Sequence, residues 1–145
     1  VYKASGDSRP HSTAGFRFTP ISAEAAEERR RRLHTVAATA RELMDLHGLS
    51  DWTLVYGESR RQLGLCKHRD QVIRIALHHA LDDGADDIRN TVLHEIAHAL
   101  AGPGAGHGAK WKEIAARIGA TPAAARYEKS AATRSVDSEE PEITM

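Results

Sequence analysis

The sequence predicts an α+β fold: one domain in which a long N-terminal helix leads into a small antiparallel sheet, followed by two more helices. Three observations carry that expectation. Apolar residues recur at three- and four-residue steps before position 48 and again beyond position 87, the period of a helix. Between Trp52 and Leu81 the chain turns instead to β-branched and aromatic residues punctuated by glycine, the pattern of strands. A length of 145 residues, 41% of them hydrophobic, suits a single domain with a modest core.

Taken in order, residues 1–19 mix Gly, Ser, Pro and Thr with isolated aromatics and no periodicity, and read as a flexible arm in which Phe16 and Phe18 are the candidate anchors. The first helix is expected from Ser22 to His47. Pro20 and Ser22 supply the entry signals, Glu24, Glu27 and Glu28 suit the positive end of the helix dipole, and Gly48 supplies the stop. Leu33, Val36, Ala40, Leu43 and His47 form its inward stripe. Arg29, Arg30, Arg31 and Arg32 go right round a helix, so they predict an ion-paired turn with the preceding glutamates rather than one basic face.

Strands are expected over Trp52–Tyr56 and Gln71–Leu77, with Gly57 and Gly64 in the connection. This stretch is locally basic, since Arg60, Arg61, Lys67, Arg69 and Arg74 outnumber Glu58 and Asp70; these arginines read as solvent-facing. His68, His78 and His79 are possible ligands by chemistry but read as surface or rim residues. The aspartates from Asp82 to Asp87 lack the spacing of a calcium loop, and the last of them read as caps for the helix that follows.

That helix carries the chemistry. Ile88–Ala101 contains His94, Glu95, Ile96, Ala97 and His98. Two histidines four positions apart share one helical face and can reach one ion, while Glu95 lies about 100° round from His94, on the flank. Val92, Leu93, Ile96, Ala97, Ala99 and Leu100 fill the opposite side, a packing surface. Neutral imidazole is a good zinc donor, and a catalytic zinc needs three protein ligands and a place for water. Glu95, too far round to share the ion with both histidines, is placed to take a proton from that water. The pentapeptide alone also fits a helix with two surface histidines. A third candidate ligand follows: a glycine-rich stop spans Gly102–Gly106, and His107 then opens an amphipathic segment ending at Gly119. A chain folded back there would bring His107 to the same ion; as a plain turn residue it would not.

Composition narrows the rest. Lys plus Arg and Asp plus Glu number 20 each, so net charge gives no general attraction to nucleic acid or membrane. Cys66 is the single cysteine, which leaves no disulfide and no cysteine-based zinc ribbon. With no long apolar run and no signal peptide, the expectation is a cytoplasmic monomer without a membrane partner. Residues 121–145 read as a mostly disordered tail, with a short helix at most between Pro122 and Tyr127.

The succession of a helix, Trp52, Gly64-Leu65-Cys66, the strand Val72–Leu77, the segment Thr91–Leu100 and finally His107-Gly108-Ala109-Lys110-Trp111 resembles the SprT-like metalloprotease domain over roughly residues 20–120. The resemblance implies a minimal zincin-like fold, with a small antiparallel sheet against helices and the metal between the H-E-x-x-H helix and the next. It implies one Zn2+ on His94, His98 and His107, Glu95 as catalytic base, Trp111 packed under the metal, and a structural role for Cys66. The implied activity is zinc-dependent cleavage of protein substrates, in several members of proteins trapped on DNA. Many members add a C-terminal zinc ribbon, whereas residues 121–145 hold no cysteine. Any DNA contact within this chain would then fall to the domain itself, with Arg60, Arg61, Arg69 and Lys110 the candidates. The alternative from another class is a non-catalytic DNA- or protein-binding module on a zincin scaffold.

Overall fold

Ser22 caps the first helix. In a computed structural model of the chain, which describes residues 21–121 and 142–144, its hydroxyl accepts the Ala25 N–H at 3.0 Å and the helix α1 runs Ala23–Leu46. The stop comes at His47 and Gly48, whose N–H groups return to carbonyls of the last turn. Val36, Ala40, Leu43 and Met44 are the buried stripe of α1. Of the arginine run, Arg30 and Arg31 pair with Glu27 and Glu28 as expected, while Arg32 reaches across to the Asp83 carbonyl. The arm 1–19 and most of the tail lie outside the described residues.

Three strands follow: β1 (Thr53–Gly57), β2 (Gly64–Lys67) and β3 (Val72–Ala76). A fourth, β4 (Glu142–Thr144), pairs antiparallel with β1, and the sheet order is β2-β3-β1-β4. The expected antiparallel sheet needs correcting here. β2 and β3 are an antiparallel hairpin, but β1 lies parallel to β3, with Thr53 opposite Val72 and Gly57 opposite Ala76. The sheet is therefore mixed, because the connection from β1 to β2 carries the chain across β3 before the hairpin returns it. Two further differences concern the strand ends. Residues 64–67, expected as connection, are themselves a strand. The β3 pattern ends at Ala76, where a six-residue helix α2 (Leu77–Asp82) takes over.

Helix α3 (Ala85–Ala101) packs on β2 and β3, and α4 (Ala109–Ile118) packs on α3. The N-cap of α3 is Gly84, so Asp86 and Asp87 act through the dipole of the first turn and not as caps. The core joins Val36, Leu43 and Met44 of α1 to Ile73 and Ile75 of β3, to Val92, Leu93 and Ile96 of α3, and to Trp111 and Ile114 of α4. The Tyr56 hydroxyl donates to the Leu33 carbonyl at 2.5 Å and fastens α1 to β1. No helix among the described residues is long and apolar enough to cross a membrane.

Two polar residues expected at the surface are buried. His79 is fully enclosed; its Nδ1 faces Asp83 Oδ2 at 2.5 Å and its Nε2 faces Thr91 Oγ1 at 2.8 Å, tying α2 to α3. Arg74 is 2% exposed, on the face of β3 opposite Ile73 and Ile75, and donates to Gln62 Oε1 at 3.3 Å. Its aliphatic stem occupies space that Gly57 leaves open, since a Cβ on Gly57 would stand 2.3 Å from Arg74 Cδ. Gly57→Ala is therefore expected to destabilise the fold by about 1–3 kcal/mol through overpacking. Urea unfolding measures this, and in an Arg74→Ala background the same substitution should cost clearly less, because the clashing Cγ, Cδ and Nε are gone. Equal costs in both backgrounds would show that Arg74 is not what Gly57 accommodates.

Candidate metal centre

The middle of α3 is held on every side. Residues from Ile88 to Ala97 are buried apart from Arg89 and Asn90, because the helix lies between the sheet, α1 and α4. His94 sits in this buried part at 1% exposure, whereas His98, one turn on, is only partly covered. After Ala101 the chain reverses through Gly102, Gly104 and Gly106, with φ of 95°, 87° and 52°. Side chains beyond glycine rarely adopt such angles, and the bend depends on them. It brings His107 back over α3.

The three rings meet at their Nε2 atoms: His107 to His98 at 3.1 Å and His107 to His94 at 3.1 Å. One ligand atom from each lies within 4.8 Å of the others, a set that can hold a metal ion. Two nitrogens bound 2.0–2.1 Å from one tetrahedral ion stand about 3.3 Å apart, so the spacing fits zinc closely. Protonation fits as well. Burial, then the neighbouring His98 and His107, pushes His94 down to about 3; burial, then His107 and His68, pushes His98 down to about 4. Both are thus held in the neutral form that donates a lone pair to a metal.

Beneath the rings lies Trp111, with centroids 4.8 Å from His94, 5.4 Å from His98 and 4.8 Å from His107. Its Nε1–H donates to the His94 carbonyl at 3.3 Å, so α4 supports α3 at the ligand residue itself.

Glu95 stands beside this cluster and outside the ligand set. It is 3% exposed, and burial pushes its carboxyl up to about 8 against the opposing effect of Arg74. Gly64 gives it room: a Cβ there would meet Glu95 Cγ and Oε2 at 3.0 Å and the Thr91 methyl at 2.9 Å. Cys66, expected as structural, is not among the three clustered ligands; burial and the nearby Glu95 carboxyl push its thiol up, away from the thiolate.

A cleft of about 220 Å³ opens over the cluster, lined by β2 on one side and by α3 and the glycine bend on the other. Gln62, Gly64, Cys66 and His68 line it beside Glu95 and the three histidines. Nothing in the sequence singles out Gln62, and His68, expected at the surface or rim, instead lines the cleft. The signal for His68 is strand alternation: Gly64 and Cys66 are on one face of β2, and His68 continues that count of two. The residues proposed for DNA contact lie outside the cleft lining. Arg60 and Arg61 are exposed in the β1–β2 connection, Arg69 in the β2–β3 turn, and Lys110 in the first turn of α4. Arg60 lines a separate pocket with Arg29, Glu58 and His78.

The family model of the SprT-like family matches residues 28–134. No curated protein and no solved structure matches the chain.

Proposed function

The chain belongs to the SprT-like family, and from that footing we propose that it is a zinc-dependent endopeptidase. The observation that carries the reading is the meeting of three imidazole nitrogens next to a buried carboxyl, at the floor of an open cleft. His94, His98 and His107 would hold the ion, and a zinc bound there would polarise the scissile carbonyl and acidify a water molecule. Glu95 takes the proton from the attacking water and returns it to the leaving amine. Its burial raises its basicity, and Gly64 leaves its oxygens room to turn toward the cleft. A polypeptide entering the cleft would lie between β2 and the glycine bend.

Association with DNA, as in cleavage of proteins crosslinked to it, draws support from the charge distribution. The net charge of zero conceals an asymmetry. Segment 58–70, which includes the cleft wall, carries Arg60, Arg61, Lys67 and Arg69 against Glu58 and Asp70, and α4 carries Lys110, Lys112 and Arg117 against Glu113. The start of α3 and the loop before it carry Asp82, Asp83, Asp86 and Asp87 against Arg89. Positive charge thus gathers on the elements around the metal centre, where it would draw a phosphate backbone.

Metal analysis of the purified chain beside a casein digest, with and without single-stranded DNA, tests both parts. We expect one equivalent of zinc, cleavage abolished by chelation and restored by zinc, and faster cleavage with DNA that fades as salt rises. A zinc-loaded chain that binds DNA and cleaves nothing would support the non-catalytic module instead.

A further inference from the structure

The backbone carbonyls of both ligand residues on α3 receive a second hydrogen bond, from a side chain outside the helix. For His94 the donor is Trp111 Nε1–H. For His98 it is His68, whose Nε2 stands 2.8 Å from the His98 carbonyl oxygen. A carbonyl only accepts, so the His68 proton is on Nε2. That nitrogen is thereby turned to the helix, and His68 is outside the ligand set.

The two carbonyls differ in their need for such support. His94 is buried in the middle of α3, whereas His98 stands in the last turn, where the helix opens into three glycines of positive φ. Helix ends fray, and the backbone partner of the His98 carbonyl is the Gly102 N–H at 3.1 Å, the first residue of that bend. His68 is itself firmly placed. It opens the β2–β3 turn, which closes with Gln71 N–H donating to the His68 carbonyl at 3.2 Å. Its ring meets the Trp52 ring edge-on at 6.2 Å, and Arg41 grips the Trp52 carbonyl at 2.8 Å. The sheet thus reaches α3 at the turn that carries the second ligand.

Resting on the reading of a zinc centre, we propose that His68 is a positioning residue: it fixes the last turn of α3 so that the His98 ring meets the other two. The interaction acts through backbone, so it requires a donor at the place of Nε2 and no charge.

The test compares His68→Leu, which removes the donor at similar volume, with His68→Gln, whose amide nitrogen reaches about as far as Nε2. Zinc affinity is measured by chelator competition, and the visible spectrum is recorded with Co2+ in place of zinc. Both are taken at a temperature where each metal-free protein is fully folded by circular dichroism. We expect H68L to weaken zinc about ten- to a hundredfold and to alter the cobalt bands, and H68Q to stay within about threefold of the parent with its spectrum retained, as support of a metal ligand implies. If H68L does not fold, His68→Asn replaces it, its amide being too short to reach the carbonyl. Parental affinity and cobalt spectrum in H68L, or a loss in H68Q equal to that in H68L, would overturn the positioning role while leaving the zinc centre intact. A parent chain that binds no zinc would overturn the centre itself and the role of His68 with it.

Discussion

Glu95→Gln is expected to bind zinc with parental affinity and to lose about a hundredfold to ten-thousandfold in kcat, the span of a missing general base. The amide has the shape of the carboxyl and fits the same space under Gly64, but it takes up no proton. His94, His98 and His107 keep their neighbours, so metal content separates loss of chemistry from loss of the site. The same substitution should act oppositely on stability. With no metal bound, the folded-state carboxyl is pushed up to about 8, from an ordinary value near 4.5. Below the unfolded value both states are protonated and the group costs nothing. As pH rises past it, the unfolded chain releases the proton and the folded one retains it, so folding is penalised increasingly until the pH passes the folded value. At neutral pH that penalty is on the order of 3 kcal/mol. Metal-free E95Q should therefore melt above the metal-free parent at pH 8, with the gap closing toward pH 5. Parental turnover in E95Q would remove Glu95 from the reaction. A melting difference independent of pH would mean that the carboxyl carries no burial penalty.

Such a trade between stability and chemistry explains which parts of the molecule can be read from its sequence. The bounds of α1 are legible to within a residue, because Ser22, the three- and four-residue spacing and Gly48 act locally. Spacing also makes His94 and His98 neighbours on one helical face, and the glycines before His107 announce a reversal. What it does not disclose is the direction of β1. That depends on a six-residue connection whose turn is built by the Ser59 hydroxyl accepting the Arg61 and Gln62 N–H groups; Gly57 and Gly64 mark its two ends but not its course. Arg74 illustrates a second limit. In an alternating strand an arginine reads as outward, yet here it is buried because the neighbouring strand presents a glycine at Gly57. That pairing exists only once the sheet is assembled. His79 is similar: its partner Thr91 is on another helix, twelve residues on. His68 combines both difficulties, since its role depends on the carbonyl of a residue thirty positions away.

The second large effect is expected at His107. His107→Ala should weaken zinc binding by two to three orders of magnitude. The apparent binding free energy of a zinc site, roughly 10–16 kcal/mol over its ligands, loses about 3–4 kcal/mol with one of them. Peptidase activity should fall with metal occupancy. The fold should not, because His107 is only partly buried and stands between the bend and α4, whereas His94, at 1% exposure between Trp111 and the core, is part of the packing. The comparison therefore needs both variants. H107A should melt near the metal-free parent, while His94→Ala should lose stability as well as metal. His94 and His98 come from one helical turn and would be neighbours in any helix of this sequence. The convergence that makes a centre of them is the return of the chain through Gly102, Gly104 and Gly106, which sets His107 Nε2 3.1 Å from each of the other two imidazoles. If H107A held zinc as tightly as the parent, the glycine bend would have no part in metal binding, and the three-imidazole centre would have to be abandoned.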